Sequence, residues 1–469
     1  MKSLFRDLFK TVFLLLALPF LPLAALAQTP GVDSATAAAL QNRLDAIRAL
    51  KNVKGLSASV IIPGKGTWNG VSGVSHDTVP IDTAMVFAIG SVSKNFTATA
   101  ILLLQEDGAL SVNDSLHQYL PSFPNIDSTI TIKQLLQHRS GIYNYTDNTA
   151  WQNAVNNSPS QPMLPLDVLN NYIGNPTGAP GSGFRYSNTN YLLLGLIIEE
   201  ASGMEYHSFI RQRVLDPHQL NSFYVAENEP ATGVAPHNWS DPDMNGSATD
   251  IYNFPLTAVF GSSPADGALT GTPNDLARYG QLLYTGQILQ DSSLQQMLQF
   301  GATMSSTFNG YGLGTMRFML GGHPVWGHSG NIAGFAATLA FSPTDSIVVA
   351  LASNQDVIST SLALSMLQHA RLTLVSATTP EVINEINLTC FPNPTTGKGT
   401  IEYTLQQPEF VQISLLNSIG REVKLLEEKL QQPGGHRISV DTRDLPAGLY
   451  FCTFKTKNSS LVKRWVITK

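Results

Sequence analysis

The chain has 469 residues, of which 43% are hydrophobic and 13% charged, and its net charge is −6. This length allows roughly two or three domains, and the hydrophobic content is enough for a sizeable core. The charged fraction is about half that of an average soluble domain, a balance more usual in exported than in cytosolic proteins. Because the net charge is negative and no basic run occurs, binding to nucleic acid through its phosphates is not expected.

The first 27 residues are typical of a secretory signal peptide. Basic residues open the segment, an apolar run follows at 11–23, and small residues at 25–27 suit a signal peptidase. The apolar run is too short, and too interrupted by prolines, to cross about 30 Å of hydrocarbon as a membrane anchor. We therefore expect cleavage after Ala27 and a mature protein without a transmembrane segment.

Hydrophobic periodicity predicts helices and strands in an order typical of α+β proteins. The first half contains a helix at 35–50, strands at 56–62 and 70–74 with a turn at 63–66, a helix from Ser91 towards Gly108, and helices at 132–137 and 191–201. Long polar loops are expected at 221–271, then strands at 312–320, 325–327, 336–341 and 347–353 and a helix at 361–374. Strands at both ends, with helices between them, predict a sheet assembled from distant parts of the chain.

After about residue 377 the pattern changes to short alternating strands separated by turns rich in glycine, proline and asparagine. Strands at this spacing predict a small β-sandwich of about 80 residues. Both cysteines of the chain, Cys390 and Cys452, fall in this segment. Export permits a disulfide between them, and two free buried thiols are equally compatible with the sequence.

Ser91 and Lys94 form an S-x-x-K motif at the predicted start of a helix. Residues three apart share a helical face, so the Ser91 hydroxyl and the Lys94 amine can meet. Unpaired backbone N–H groups at a helix start favour negative charge developing there. Lys94 must be neutral to accept a proton, and burial and nearby positive charge would lower its pKa enough. The motif is short and frequent, so alone it also fits a helix start with a surface lysine.

Two further motifs carry groups that suit acyl chemistry. Tyr186 and Asn188 form Y-x-N before an apolar helix, where the phenol could relay a proton if cations depress its pKa, and the amide could hold a carbonyl. His328 and Gly330 form H-S-G between two predicted strands, where backbone donors can bind an oxyanion or a carboxylate. A helix cap and a tight turn are the alternatives. We exclude Ser329 as nucleophile, because the final glycine of G-x-S-x-G is missing and no helix follows.

Taken together and in this order, the three motifs resemble the signatures of serine penicillin-recognising enzymes: S-x-x-K, Y-x-N and a K-T-G-like triad. Y-x-N with H-x-G is similar to class C β-lactamases and to D-alanyl-D-alanine carboxypeptidases of the same branch. The likeness covers roughly residues 35–375 and includes the sequences at 89–97, 132–141, 186–191 and 275–279. It implies an α+β fold, with an antiparallel sheet flanked by helices and a mostly helical subdomain.

The resemblance also implies catalytic roles. Ser91 would attack an acyl carbonyl, and Lys94 and Tyr186 would take up and return the proton. Asn188, with Lys94, would hold the amide of the acyl group. The oxyanion would lie between the backbone N–H groups of Ser91 and Asn331, the residue after the triad.

The substrate-binding strand would present His328, Gly330 and Asn331. A neutral imidazole at His328, where the family more commonly has lysine, supplies less positive charge for a substrate carboxylate. This departure favours a D-alanyl-D-alanine carboxypeptidase-like or D-amino-acid peptidase-like enzyme over an efficient class C-type β-lactamase, and it leaves room for an esterase. A penicillin-binding-like module without turnover is the non-enzymatic alternative.

The C-terminal segment resembles a type IX secretion sorting domain through the sequences at 390–395, 417–423, 445–450 and 463–467. Cys390 stands where that family usually has tyrosine. The resemblance implies passage through the periplasm and across the outer membrane of a Bacteroidota-type bacterium, with the type IX machinery as partner. The product would be a secreted or cell-surface protein. A generic adhesive sandwich is the alternative.

These observations divide the chain into a signal peptide (1–27), a serine hydrolase domain (28–378), a linker (379–388) and a sorting domain (389–469). The loop at 241–246 matches the first half of a calcium-binding loop, but Tyr252 stands where a bidentate glutamate is needed, which favours an Asx-turn. The histidines show no metal-ligand spacing, so neither a catalytic metal nor a cofactor is expected.

Overall fold

The structure, a computed structural model, describes residues 31–240, 247–303, 305, 307–357, 359–377, 388–405, 407–417, 422–456 and 460–469. The predicted signal peptide, the candidate calcium loop and the predicted linker up to residue 387 lie outside these ranges. The chain forms two compact units, with the boundary between Val375 and Ser376. Among the described residues, no helix is both long and apolar enough to cross a membrane.

The first unit is built on a nine-stranded sheet in which neighbouring strands pair antiparallel. From edge to edge its strands are β3 (Val79–Pro80), β2 (Gly66–His76), β1 (Gly55–Ile62), β14 (Val348–Ser353), β13 (Phe335–Phe341), β12 (His323–Ile332), β11 (Met316–Leu320), β10 (Gly310–Tyr311) and β9 (Gly301–Ala302). The early strand β1 and the late strand β14 are neighbours, and both are buried along their whole length. The sheet therefore joins distant parts of the chain, as predicted.

Helices cover both faces of this sheet. They are α1 (Ser34–Lys51), α2 (Ser93–Glu106), α3 (Ile132–Leu136), α4 (Thr149–Asn157), α5 (Pro165–Asn171), α6 (Thr189–Ser202), α7 (Tyr206–Ile210), α8 (Thr257–Gly261), α9 (Pro273–Tyr284), α10 (Asp291–Met297) and α11 (Ser359–Ala377). α1 and α11 share a core cluster with one face of the central strands, and α2, α6 and α9 share a second cluster with the other face. Successive β1 residues such as Val60 and Ile61 point into the two clusters in turn. The predicted α+β fold is confirmed.

Helix α2 lies at the centre of the unit and carries the S-x-x-K motif. Every residue from Ser93 to Leu104 is buried, so the helix packs on all sides. A short 3₁₀ turn at Gly90–Val92 leads into it, and Gly90 adopts a φ of 53°. A Cβ on Gly90 would lie 2.9 Å from the backbone nitrogen of Asn331. Ser91 is therefore held on a well-packed turn directly beside β12.

The H-S-G motif lies inside one strand, and the prediction that it separates two strands is wrong. β12 runs unbroken from His323 to Ile332 and pairs with β13 from Trp326 onwards. A Cβ on Gly327 would lie 1.9 Å from a backbone oxygen of β13, and one on Gly330 would lie 2.4 Å from the backbone nitrogen of Ser91. The two glycines, which resemble a turn signal, are required because neighbouring backbone leaves no room for a side chain.

The segment at 221–271, predicted as long loops, contains short strands and α8. β5 (Tyr224–Val225) and β8 (Leu269–Gly271) form a small sheet with β4 (Phe87–Ala88), and β6 (Trp239–Ser240) pairs with β7 (Thr249–Asp250). These elements are too short to show periodicity in sequence. They bring the backbone at 265–266 against α2.

The second unit has two antiparallel sheets. They consist of β15 (Thr389–Phe391), β16 (Lys398–Leu405) and β19 (Gly434–Asp441), and of β18 (Glu422–Gln431), β17 (Glu409–Leu416), β20 (Gly448–Lys455) and β21 (Ser460–Ile467). Side chains from both sheets, such as Ile401 and Ile413, share one core cluster, which is the arrangement of the predicted sandwich. Cys390 and Cys452 are free thiols here, the first half-buried and the second buried.

Candidate active site

Ser91 and Lys94 are in direct contact. Lys94 Nζ donates a hydrogen bond to Ser91 Oγ at 3.0 Å and another to the backbone carbonyl of Asp266 at 2.7 Å. The Lys94 side chain is fully buried beneath the half-exposed serine. The helical spacing of the S-x-x-K motif predicted this contact, whereas the Asp266 carbonyl comes from 172 residues further along the chain.

Burial sets the protonation state of Lys94. It lowers the pKa of the amine to about 8, against an opposing influence of the negative charge of Asp266. The nearby positive charge expected from the sequence is replaced by this carboxyl, whose own pKa burial raises to about 6. Asp266 Oδ2 accepts a hydrogen bond from the Tyr145 hydroxyl at 3.1 Å, while Oδ1 has no partner. The buried amine therefore loses its proton more readily than an exposed lysine and can accept one from Ser91.

Replacing Asp266 with asparagine should move the acid limb of the pH dependence of kcat/KM to lower pH. The carboxylate raises the pKa of Lys94, so its removal makes the neutral amine available at lower pH, while the amide oxygen can still accept from Tyr145. The measurement is kcat/KM from pH 5 to 10 in buffers of constant ionic strength. Asp275→Asn, at another buried carboxylate that caps the backbone N–H of Ser222, should leave the midpoint unchanged. A midpoint that stays in place in Asp266→Asn would contradict the prediction.

Tyr186 lines the cleft beside Ser91. Burial raises the pKa of its phenol, and a hydrogen bond with the Ser91 side chain only partly opposes this. The ammonium of Lys94 lies 5.3 Å from the ring centroid, which is not enough to offset burial. The condition stated from the sequence for a relay by this phenol, a pKa depressed by cations, is therefore not met. The phenol is protonated before substrate reacts. It can therefore act as a relay only if it donates its own proton while it accepts another.

The edge of β12 faces the nucleophile. β11 pairs with β12 only as far as Gly327, and beyond this point the same edge lies against the turn that holds Ser91. Gly330 and Asn331 both line the cleft. The Asn331 side chain is bonded away from the cleft, to the carbonyl of Val357 at 3.1 Å. The backbone of Asn331 is thus the part of this residue that lies closest to the Ser91 turn.

His328 and Asn188, like the buried Lys94, do not line the cleft, and neither contacts Ser91 in the hydrogen bonds described for it. His328 is fully buried, and its ring nitrogens contact Tyr311 Oη at 2.9 Å and the Ser329 carbonyl at 2.7 Å. Burial, helped by the charge of Lys94, lowers the pKa of His328 to about 3, so the imidazole is neutral. Asn188 Nδ2 donates to Thr146 Oγ1 at 3.1 Å.

The cleft above Ser91 has a volume of about 590 Å³ and walls without charged side chains among the described residues. Its lining residues are Ser91, Phe184, Tyr186, Ser305, Phe308, Met316, Ser329, Gly330 and Asn331. The apolar wall of Phe184, Phe308 and Met316 was not predicted from the sequence. Only Phe184 had a signal, its position two residues before Tyr186. Phe308 lies between β9 and β10, and Met316 lies in β11, outside the three motifs. In the described ranges, no group of three or more His, Cys, Asp or Glu side chains is arranged to hold a metal ion.

Comparison with known families agrees with this fold. Residues 40–368 match the Beta-lactamase family, and residues 389–468 match the Secretion system C-terminal sorting domain. The first match covers more than half of the chain. The chain therefore belongs to the Beta-lactamase family of serine hydrolases, with a sorting domain at its C-terminal end.

Individual similar proteins extend the likeness from sequence to structure. Penicillin-binding protein 4* of Bacillus subtilis (strain 168) is 29% identical over 275 residues, which are 55% of this chain and 58% of that protein, so the chain spans less than two thirds of its length. Penicillin-binding protein 4 of Amycolatopsis lactamdurans is 25% identical over 67% of this chain and 84% of its own. The structure of a D-stereospecific amidohydrolase from Streptomyces sp. is 28% identical with a TM-score of 0.61, over 68% of this chain and 94% of that one.

Proposed function

We propose that the chain is an exported hydrolase that cleaves amide or ester bonds through a covalent acyl group on Ser91. Ser91 Oγ attacks the substrate carbonyl as neutral Lys94 accepts its proton, and the proton passes through Tyr186 to the leaving group. Water then attacks the ester along the same path and restores Ser91. The observation that carries this proposal is the 3.0 Å contact between Ser91 and a buried lysine with a pKa of about 8.

The developing oxyanion is proposed to lie between the backbone N–H groups of Ser91 and Asn331, because the glycine contacts bring these two backbones together. Gly330 leaves the space for this approach. To hold the amide of the acyl group, Asn188 must release Thr146. His328 is proposed to have a structural role beneath the cleft and not to contact substrate, since both of its ring nitrogens are bonded within the protein.

Among the candidate substrates, amides or peptides of D-amino acids that carry an apolar side chain and no carboxylate near the scissile bond fit best. Phe184, Phe308 and Met316 offer an apolar surface, and the described cleft residues offer no cation to pair with a carboxylate. A D-alanyl-D-alanine carboxypeptidase or a β-lactamase fits this cleft less well, because the substrates of both carry a carboxylate. The similarity to a D-stereospecific amidohydrolase from Streptomyces sp. supports the same choice.

The proposal is tested by comparing the full chain with its Ser91→Ala variant on D-phenylalanine amide, on its L-enantiomer and on a D-phenylalanyl dipeptide with a free carboxylate. We expect kcat/KM for the D-amide to exceed that for the dipeptide by about tenfold or more, because the carboxylate loses its hydration without gaining a cation. A preference for the free carboxylate would instead indicate a carboxypeptidase. Mass spectrometry after incubation with a penicillin separates the remaining alternatives. A lasting adduct on Ser91 without hydrolysis of any substrate would indicate the non-enzymatic binding module, and rapid penicillin turnover would indicate a β-lactamase.

The C-terminal sorting domain indicates export by type IX secretion to the cell surface or outside. We further propose that residues 1–27 first direct the chain into the periplasm of a Bacteroidota-type bacterium, and that the type IX machinery then binds residues 389–469. The hydrolase domain would act outside the cell, on small-molecule or peptide substrates.

A further inference from the structure

His138 holds the chain on both sides of Tyr186. It follows α3 in the left-handed region, with a φ of 55°, and is fully buried. Its carbonyl accepts the N–H of Arg185 at 2.8 Å, and its ring Nδ1 accepts the N–H of Ser187 at 3.1 Å. The imidazole also stacks on the Tyr186 ring, with 4.1 Å between centroids and 30° between planes. One residue thus contacts the backbone before Tyr186, its ring, and the backbone after it.

A hydrogen-bonded chain links His138 to β12. His138 Nε2 lies 3.2 Å from Tyr311 Oη, and Tyr311 Oη lies 2.9 Å from His328 Nε2. The other nitrogen of His328, Nδ1, lies 2.7 Å from the carbonyl of Ser329. These hydrogen bonds therefore connect the Y-x-N segment to β12, the strand on the opposite wall of the cleft.

The direction of each bond in this chain follows from its ends. The Ser187 N–H can only donate, so His138 Nδ1 accepts and its Nε2–H donates to Tyr311. The Ser329 carbonyl can only accept, so His328 Nδ1 donates and its Nε2 accepts from the Tyr311 hydroxyl. Both imidazoles are neutral in this arrangement, in agreement with the lowering of their pKa values by burial. The amide nitrogen of Asn190, which can only donate, lies 3.3 Å from His138 Nδ1 and requires the same acceptor role of that nitrogen.

We infer that His138 is a positioning residue for the Ser91 reaction. Its ring, stacked on Tyr186, orients the phenol, and the hydrogen bonds from His138 through Tyr311 to His328 fix the ring itself. The inference rests on the proposed roles of Ser91, Lys94 and Tyr186. It assigns a purpose to the sequence at 132–141 and explains why a histidine replaces lysine in the H-S-G motif: the imidazole accepts from Tyr311, which an ammonium cannot do.

The test uses full-length His138→Asn and Tyr311→Phe, each in the native background and with Tyr186→Phe. Asparagine keeps an acceptor for Ser187 but removes the stacked ring and Nε2, whereas phenylalanine removes only the linking hydroxyl. Tyr206→Phe is the matched control, because it deletes an equally buried hydroxyl bonded to Thr97 at 2.8 Å. Two readouts are compared: kcat and KM for the amide substrate, and the rate at which a fluorophosphonate modifies Ser91, followed by intact mass.

We expect His138→Asn to lower kcat about 10- to 100-fold, and Tyr311→Phe about tenfold, with KM changed less than about threefold. With Tyr186→Phe already present, His138→Asn should change the labelling rate less than about twofold, because its effect acts through the missing hydroxyl. Tyr206→Phe should lower the melting temperature without lowering kcat. Equal effects of His138→Asn in both backgrounds, or unchanged kcat in Tyr311→Phe, would overturn the inference.

Labelling also separates this inference from the proposed function. If the native protein labels at Ser91 but hydrolyses none of the substrates, the proposed substrate class is refuted. A labelling rate that depends on His138 only when Tyr186 is present would still support the inference. If Ser91 does not label at all, the proposed function fails and the inference fails with it.

Discussion

Ser91→Ala is expected to lose turnover by about 10⁴-fold or more while melting at nearly the same temperature as the native protein. The hydroxyl is the only group proposed to bond covalently with the substrate. Its removal leaves Lys94 Nζ bonded to the Asp266 carbonyl at 2.7 Å, so the buried amine keeps a partner and little stability is lost. Hydrolysis rates, intact mass after incubation with a penicillin or a fluorophosphonate, and thermal melting check this result together.

Ser329→Ala is the matched control for that experiment. Ser329 also lines the cleft, in the motif that resembles a nucleophile elbow but lacks its last glycine. Its hydroxyl contacts only the Met316 sulfur, at 3.7 Å, among the hydrogen-bond partners described for it. The Ser329→Ala variant should still form the covalent adduct. An adduct that persists in Ser91→Ala and disappears in Ser329→Ala would show that the wrong serine has been assigned.

Lys94→Met is expected to lower kcat/KM by about 10³-fold, within the range observed when a general base is removed. In the native enzyme, kcat/KM should rise with pH and level off above about 8, because the protonated amine cannot accept the Ser91 proton. The remaining activity of Lys94→Met should not show this rise. The unbranched methionine fills most of the volume of the buried lysine stem, so the variant is expected to fold. Initial rates from pH 6 to 10 provide the check, and activity that falls between pH 7 and 8.5 in the native enzyme would contradict the role of Lys94.

Local patterns were enough to predict the elements that carry the chemistry. The spacing of Ser91 and Lys94 depends only on helical geometry, and the contact of 3.0 Å follows from it. Short, mostly apolar runs predicted β1, β13 and β14, because these strands are buried on both faces of a layered fold. The prediction failed at β12, where Gly327 and Gly330 suggested a turn and instead allow neighbouring backbones to approach closely.

What the sequence determined by itself is therefore the class of the molecule: the α+β fold, the sandwich after residue 377, and the three motifs in their order. Only the tertiary structure decided which distant residues contact those motifs and how their pKa values are shifted. The Asp266 carbonyl meets Lys94 across 172 positions, and Tyr311 meets His138 across 173. Burial, which no single motif encodes, sets the pKa of Lys94 near 8, raises that of Tyr186 and keeps His328 neutral. These properties depend on which distant segments exclude water from the site, and that is decided only when the sheet and helices pack together.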